Sequence, residues 1–418
     1  MPFHRLISPV LLVGILMGTL STSPVEAQTR RSPQAGNRAA TAKAGPQDFR
    51  SRHFLVHTDL PAEEARDLLK RLETMLGIIS RFWGQPNRKT IECYVVKDLA
   101  NWPDGFFPAR ALEYLQGNAG VTLTLKSVDR RTGRAVAALP VVYAVADHGT
   151  PQHEAVHAYC QQNFGDVGPT WYSEGMAEMG NYWREDDASV LLPDVVLEHL
   201  QDSEPKPLLA IVDNTDQTGD SWENYAWRWA LCHLLANNPN YSPRFRPLGL
   251  NLLLGKGDSF EQTYGSMGAE IEFEYHFFLE HLENGLRADL IAWDWKAKFQ
   301  PAPATRSLVA AVEADHGWQP SRLRVEVGKE YHLSATGNWK VEADGEELTA
   351  DGNADGQGKL VGIVLDPETR TLGEPFDLGA DLTFTASSGG NLYLRCRDDW
   401  AAIGDNSGKV NTRIKLAR

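Results

Sequence analysis

Apolar positions between about residues 46 and 300 recur at helical and strand periods in turn, and beyond them the texture is strand-like to the end. Phe54-Leu55-Val56 is a short apolar run, and Pro61-Ala62-Glu63-Glu64 after it suits a helix start, where unpaired N–H groups favour Pro and acidic side chains. Leu68, Leu69, Leu72, Leu76 and Ile79 then lie on one face at the helical period. Ile91–Val96 and the alternating Val121–Leu125 read as strands, and Val141–Val145 is a further apolar run just ahead of a helical stretch. Tyr225–Leu235 forms one strongly apolar helix, with more helices to about Trp295. From there the runs shorten: Leu323–Val327, Tyr331–Ala335, Leu360–Leu365, Leu382–Ala386 and Leu392–Cys396 alternate between turns of Gly, Asp and Asn, which predicts a β-sandwich. Phe299–Ala304, rich in Pro and Ala, reads as a semi-rigid linker over residues 299–305 that would keep the sandwich apart from the cleft.

The amino terminus has a different pattern. His4 and Arg5, an apolar run Leu6–Leu20 and the small-x-small exit Val25-Glu26-Ala27 predict a signal peptide over residues 1–27, too short in its apolar part to favour a membrane span. Residues 28–45 lack apolar periodicity and read as a disordered linker. A secreted or periplasmic chain is expected, with no membrane span once mature. The formal net charge of -14 argues against nucleic acid and anionic membranes as partners. Four cysteines, Cys93, Cys160, Cys232 and Cys396, leave one bridge, two or none open.

The candidate chemistry sits at His153-Glu154-Ala155-Val156-His157. Residues four apart share a helix face, so two imidazoles can hold one metal ion, while Glu154 is turned far enough round to act as a base on a nearby water. A catalytic zinc needs a third protein ligand and an open position. A metzincin would supply His at position 163, where this chain has Asn163. Glu174 is the expected ligand, in Trp171-Tyr172-Ser173-Glu174-Gly175-Met176-Ala177-Glu178, which follows a Gly165/Pro169 break with Thr170 as helix cap. Glu178, one turn beyond Glu174, can hydrogen-bond a ligand imidazole and fix its tautomer.

His153-Glu154-x-x-His157, 16 intervening residues and then Glu174-Gly175-x-Ala177-Glu178 resemble the gluzincin pattern, most closely the peptidase-MA-like proteins with a W-x-x-E-G-x-A-E segment. The resemblance implies an α+β fold over residues 46–298, with an N-terminal sheet, an active-site helix and a helical second half. It implies a zinc metallopeptidase acting on peptide or protein substrates. In gluzincins an edge strand holds extended substrate, a role that would fall on residues 141–145, and a Tyr or His of the helical half stabilises the oxyanion, which points to Tyr225 and His233. The G-x-M-E-N segment of aminopeptidase-N-like relatives is absent, so an endopeptidase is expected.

Trp318-Gln319-Pro320, Thr336-Gly337-Asn338-Trp339, Leu392-Tyr393-Leu394-Arg395 and Gly404-Asp405-Asn406-Ser407-Gly408 resemble the PA-IL-like calcium-dependent, galactose-binding lectins over residues 306–418. Carried over by position, Asp398, Asp405 and Asn406 would bind calcium through side chains and Ala402 through its carbonyl, hard oxygen ligands of the kind calcium takes. Galactose-type glycans are the implied partners. The alternative to a peptidase is a carbohydrate-binding protein whose first half is a non-catalytic scaffold.

Overall fold

The computed structural model describes residues 45–128, 135–184, 187–213 and 221–417. The expected signal peptide, and all but the last residue of the expected linker 28–45, lie outside the described residues. Helices, one mixed sheet and two antiparallel sheets make up the fold, with the C-terminal part rich in β-structure. The described residues fall into two compact units, one of those up to 165 with 221–225 and one of those from 166 to 213 with 226–417.

The first unit runs β1 (Gln47–Arg50), β2 (Phe54–Thr58), α1 (Ala62–Trp83), β3 (Ile91–Val96), α2 (Ala109–Gln116), β4 (Val121–Val128), β5 (Ala135–Val145) and α3 (Thr150–Phe164). Its sheet has the order β1-β2-β3-β5-β4. Strands β2, β3 and β5 are parallel and β1 and β4 antiparallel, which places the parallel strands inside and antiparallel ones at both edges. The apolar stripe of α1 is buried as its period predicts, and Gly84 in the left-handed conformation (φ 68°) ends the helix. Residues 141–145, expected at an edge, belong to β5, which is paired with β3 on one side and β4 on the other. The edge beside it is β4, so the expectation for 141–145 is corrected: their backbone groups are already spent on the ladder.

In the second unit come α4 (Thr170–Tyr182), α5 (Asp194–Asp202), α6 (Leu208–Val212), α7 (Trp222–Asn237, whose first turn to Tyr225 counts with the first unit), α8 (Ser242–Leu253), α9 (Phe260–Tyr264) and α10 (Gly268–Glu280). Strands β6 (Leu308–Glu313), β7 (Gln319–Val325), β8 (Glu330–Lys340), β9 (Leu360–Leu365), β10 (Phe376–Asp377), β11 (Asp381–Thr385), β12 (Gly390–Cys396) and β13 (Ser407–Leu416) follow. They form antiparallel sheets β10-β9-β12-β7 and β11-β8-β13-β6 over a shared core that includes Leu323, Leu333, Trp339, Leu392 and Val410. Gly175 lets α4 lie against α7, because a Cβ there would stand 2.5 Å from Cys232 Sγ and 2.7 Å from the Arg228 carbonyl oxygen. Any side chain at 175 would force these helices apart.

The stretch expected as a linker is itself paired with the sandwich. Gln300 donates its N–H to Arg322 O at 3.0 Å and accepts from Arg324 N at 2.8 Å, so the stretch is itself hydrogen-bonded onto β7. Trp293 packs on Tyr393 with ring centroids 4.7 Å apart, and Trp400 stacks on His281 at 4.7 Å. Gly285 (φ +103°) has room for no side chain, since a Cβ would meet Ala401 O at 3.0 Å. Apolar aromatic faces of the helical segments need cover, and the sandwich supplies it. All four cysteines are buried, and none is joined to another in a disulfide. No described helix is long and apolar enough to cross a membrane.

Candidate metal centre

Asp147 sets the start of α3: its carboxylate accepts the Gly149 and Thr150 N–H groups at 3.0 and 2.7 Å and the Thr150 hydroxyl at 2.6 Å. Gly165 (φ 81°) ends it with its N–H on Gln161 O at 3.1 Å, at the residue the sequence indicates. Pro169 rather than Thr170 occupies the cap position of α4, with Thr170 as its first helical residue and no side-chain cap.

Both helices are buried on most sides, and their polar side chains go in with them. His153, Glu154 and Glu174 are 8, 7 and 6% exposed. A burial of this kind is unfavourable unless the groups are paired or hold a cation. The Nε2 atoms of His153 and His157 are 3.1 Å apart, with the rings edge to face. One donor atom from each of His153, His157 and Glu174 lies within 4.8 Å of the others. Among the described residues this is the one group of three or more His, Cys, Asp or Glu side chains placed so closely. Two imidazole nitrogens and a carboxylate oxygen are donors that a borderline divalent ion such as zinc would accept. The residues therefore fit the metal that their spacing implies.

Glu154 is held from the strand side. The Thr122 hydroxyl lies 2.8 Å from Glu154 Oε2 and 2.9 Å from the Glu154 carbonyl oxygen. A Cβ on Gly120 would come within 2.7 Å of Glu154 Cγ, so the chain entering β4 runs directly along the Glu154 stem. Neither residue was indicated by the sequence, because nothing in a strand more than thirty positions upstream marks which of its hydroxyls meets the helix. Glu178 is buried and accepts from Asn181 Nδ2 at 3.1 Å.

The two oxyanion candidates part company. Tyr225 lies beside the centre, its ring centroid 5.6 Å from that of His153. His233, two turns further along α7, is 3% exposed and enclosed by Trp229 at 4.9 Å and Phe278 at 5.8 Å, with Nε2 lacking a partner. Burial holds its imidazole down at about 4. It is packed as a core histidine among these rings.

In the sandwich, Asp398 Oδ2 and Asn406 Oδ1 are buried acceptors without hydrogen-bond partners, while Asn406 Nδ2 donates to Ala314 O at 3.2 Å. Asp405 is exposed, and the Ala402 carbonyl takes the Asp405 N–H at 3.3 Å. Arg395 donates to the Asp398 carbonyl and lies 3.5 Å from the centroid of Trp400, so one flank of this loop is fixed by a buried cation.

No family model matches the chain, and no curated protein does. Among solved structures, one that aligns is an "EclA N-terminal domain; PllA-like lectin", at 13% identity and a TM-score of 0.21, covering 26% of this chain and 96% of that one. At that score the likeness carries no argument about fold or ligand.

Proposed function

We propose that this chain is a zinc-dependent endopeptidase of gluzincin type. The observation that supports the reading is the approach of His153, His157 and Glu174 within 4.8 Å, with the carboxylate of Glu154 on the neighbouring helix position. A zinc ion held by these three side chains would acidify a water and draw electron density from a scissile carbonyl. Glu154 accepts a proton from the attacking water as its oxygen bonds to the carbonyl carbon. Glu154 then returns that proton to the departing nitrogen as the C–N bond breaks, giving a carboxylic acid and an amine. Tyr225 is the candidate donor to the developing oxyanion. Among the described residues β4 is an edge strand, the kind of element to which an extended substrate backbone can add. Purified protein is expected to carry one zinc per chain, lost in His153→Ala and in Glu174→Ala, and to cut a mixed peptide library internally. Metal analysis showing no bound zinc in the wild type would remove the reading.

The two unpartnered oxygens of Asp398 and Asn406 favour a second activity in the sandwich, calcium-dependent binding of a galactose-type glycan. Asp398, Asp405 and Asn406 would hold the ion by side chain and Ala402 by carbonyl. Trp400 and Ala401 pack on His281 and Gly285, so a sugar would approach from the exposed Ala402–Asp405 side. Titration with calcium should release measurable heat from the full chain and none from Asp405→Ala. Equal heats from both proteins would dismiss the calcium site.

A further inference from the structure

We infer that Thr122, seated against Gly120, is a positioning residue that fixes which oxygen of Glu154 exchanges the proton. The inference rests on the proposed role of Glu154 and deepens it. A glutamate has three rotatable bonds, and a base aimed at a single water must have most of that freedom removed beforehand. Thr122 can remove it. It is β-branched and so restricted at its first torsion, and it stands on β4 directly opposite Val142 of β5, anchored in the sheet. Its hydroxyl carries one proton and has two acceptors in reach, Glu154 Oε2 at 2.8 Å and the Glu154 carbonyl at 2.9 Å. The carboxylate is the stronger acceptor of the two, so the proton goes to Oε2.

Gly120 closes the other side. A methyl group there would meet Glu154 Cγ at 2.7 Å, Thr150 Cγ2 at 2.6 Å and Glu154 Oε1 at 3.2 Å, so the bare backbone serves as a wall along the glutamate stem. Among the described residues no hydrogen bond reaches Oε1. One oxygen is thus tied to the strand and the other is left for chemistry: Oε1 takes the water proton and later gives it up, while Oε2 stays with Thr122. This arrangement is built wholly from residues of the first unit.

The test uses the full-length, zinc-loaded protein. Thr122→Val keeps the shape and removes the hydroxyl, and is expected to lower kcat by about 10- to 100-fold, the usual worth of a hydrogen bond to a charged group, with KM and zinc content unchanged. Thr122→Ser keeps the hydroxyl and should recover most of the loss. Gly120→Ala, which presses a methyl group on Glu154 Cγ, should lower kcat likewise with zinc retained. A readout independent of turnover is a melting cycle on metal-free protein with Thr122→Val, Glu154→Ala and the double variant, expected to be non-additive. The inference is overturned by wild-type kcat in Thr122→Val, by a Ser variant as slow as the Val variant, or by additive melting shifts. A zinc-loaded wild type that cuts no peptide removes the peptidase reading and this role with it. Non-additive melting would then leave only a structural hydrogen bond.

Discussion

Replacement of Glu154 by Gln is expected to leave zinc in place and to cut peptide hydrolysis by roughly 10²–10⁴-fold, the range that a positioned acid–base group contributes. The substitution is nearly isosteric. A glutamine oxygen can still accept from the Thr122 hydroxyl, whose distance to the present carboxylate is 2.8 Å, and His153, His157 and Glu174 are untouched. What the amide cannot do is carry a proton from water to the leaving amine. The loss should therefore fall in kcat, with zinc stoichiometry by atomic absorption equal to that of the wild type. A Gln variant that turned over at the wild-type rate would place the proton acceptor elsewhere.

The second large effect is on stability in acid and belongs to His233. Its folded-state pKa is lowered from 6.5 to about 4 by burial, with Asp289 and Asp187 opposing. The folded protein refuses a proton that the unfolded chain accepts, so the contribution of His233 is fully present above pH 6.5 and is lost as pH falls towards 4. The shift corresponds to about 3 kcal/mol. Glu274 works against it: this buried carboxylate, bonded by Asn238, Asn240, Tyr241 and Trp295, is raised to about 7 by burial. Its contribution is present below pH 4.5 and is lost as pH rises through 7. The two slopes oppose each other in the wild type, so the whole-protein curve hides them. Comparison with His233→Phe, which fills the same aromatic slot without titrating, isolates one. Urea unfolding should show wild type losing about 3 kcal/mol relative to the variant between pH 7 and pH 4. Parallel curves would mean that His233 takes up its proton without unfolding the core around it.

Much of this fold and of its centre can be read from residue order, for identifiable reasons. The stripe on α1, the apolar runs of β3, β9 and β12 and the stop at Gly165 are local, and local periodicity reports them. The spacing of His153, His157 and Glu174 is nearly local too, since two adjoining helices carry all three. β1 has no alternation to betray it, and β6 turns two alanines and two valines into a strand only because β13 pairs with it. β13 itself alternates Val410, Thr412 and Ile414 inward, a signal that was there to be used. Sheet order is where periodicity fails: β5 precedes the metal helix and looks like an edge, yet β4 closes over it. The burial of His233 was likewise hidden, because an apolar helix shows which residues are core only once its aromatic neighbours from α10 are in place.

Four enclosed thiols bear on how the protein is made. In the folded chain none of Cys93, Cys160, Cys232 and Cys396 is joined to another, and burial raises all of Cys93, Cys232 and Cys396 above the ordinary thiol range, which withholds the reactive thiolate. Oxidant has nothing to act on after folding and everything to act on before it, when any two thiols can meet. Production in a reducing cytoplasm should thus lose no native crosslink, whereas refolding under a glutathione redox couple should divert chains into bridged by-products that reductant recovers.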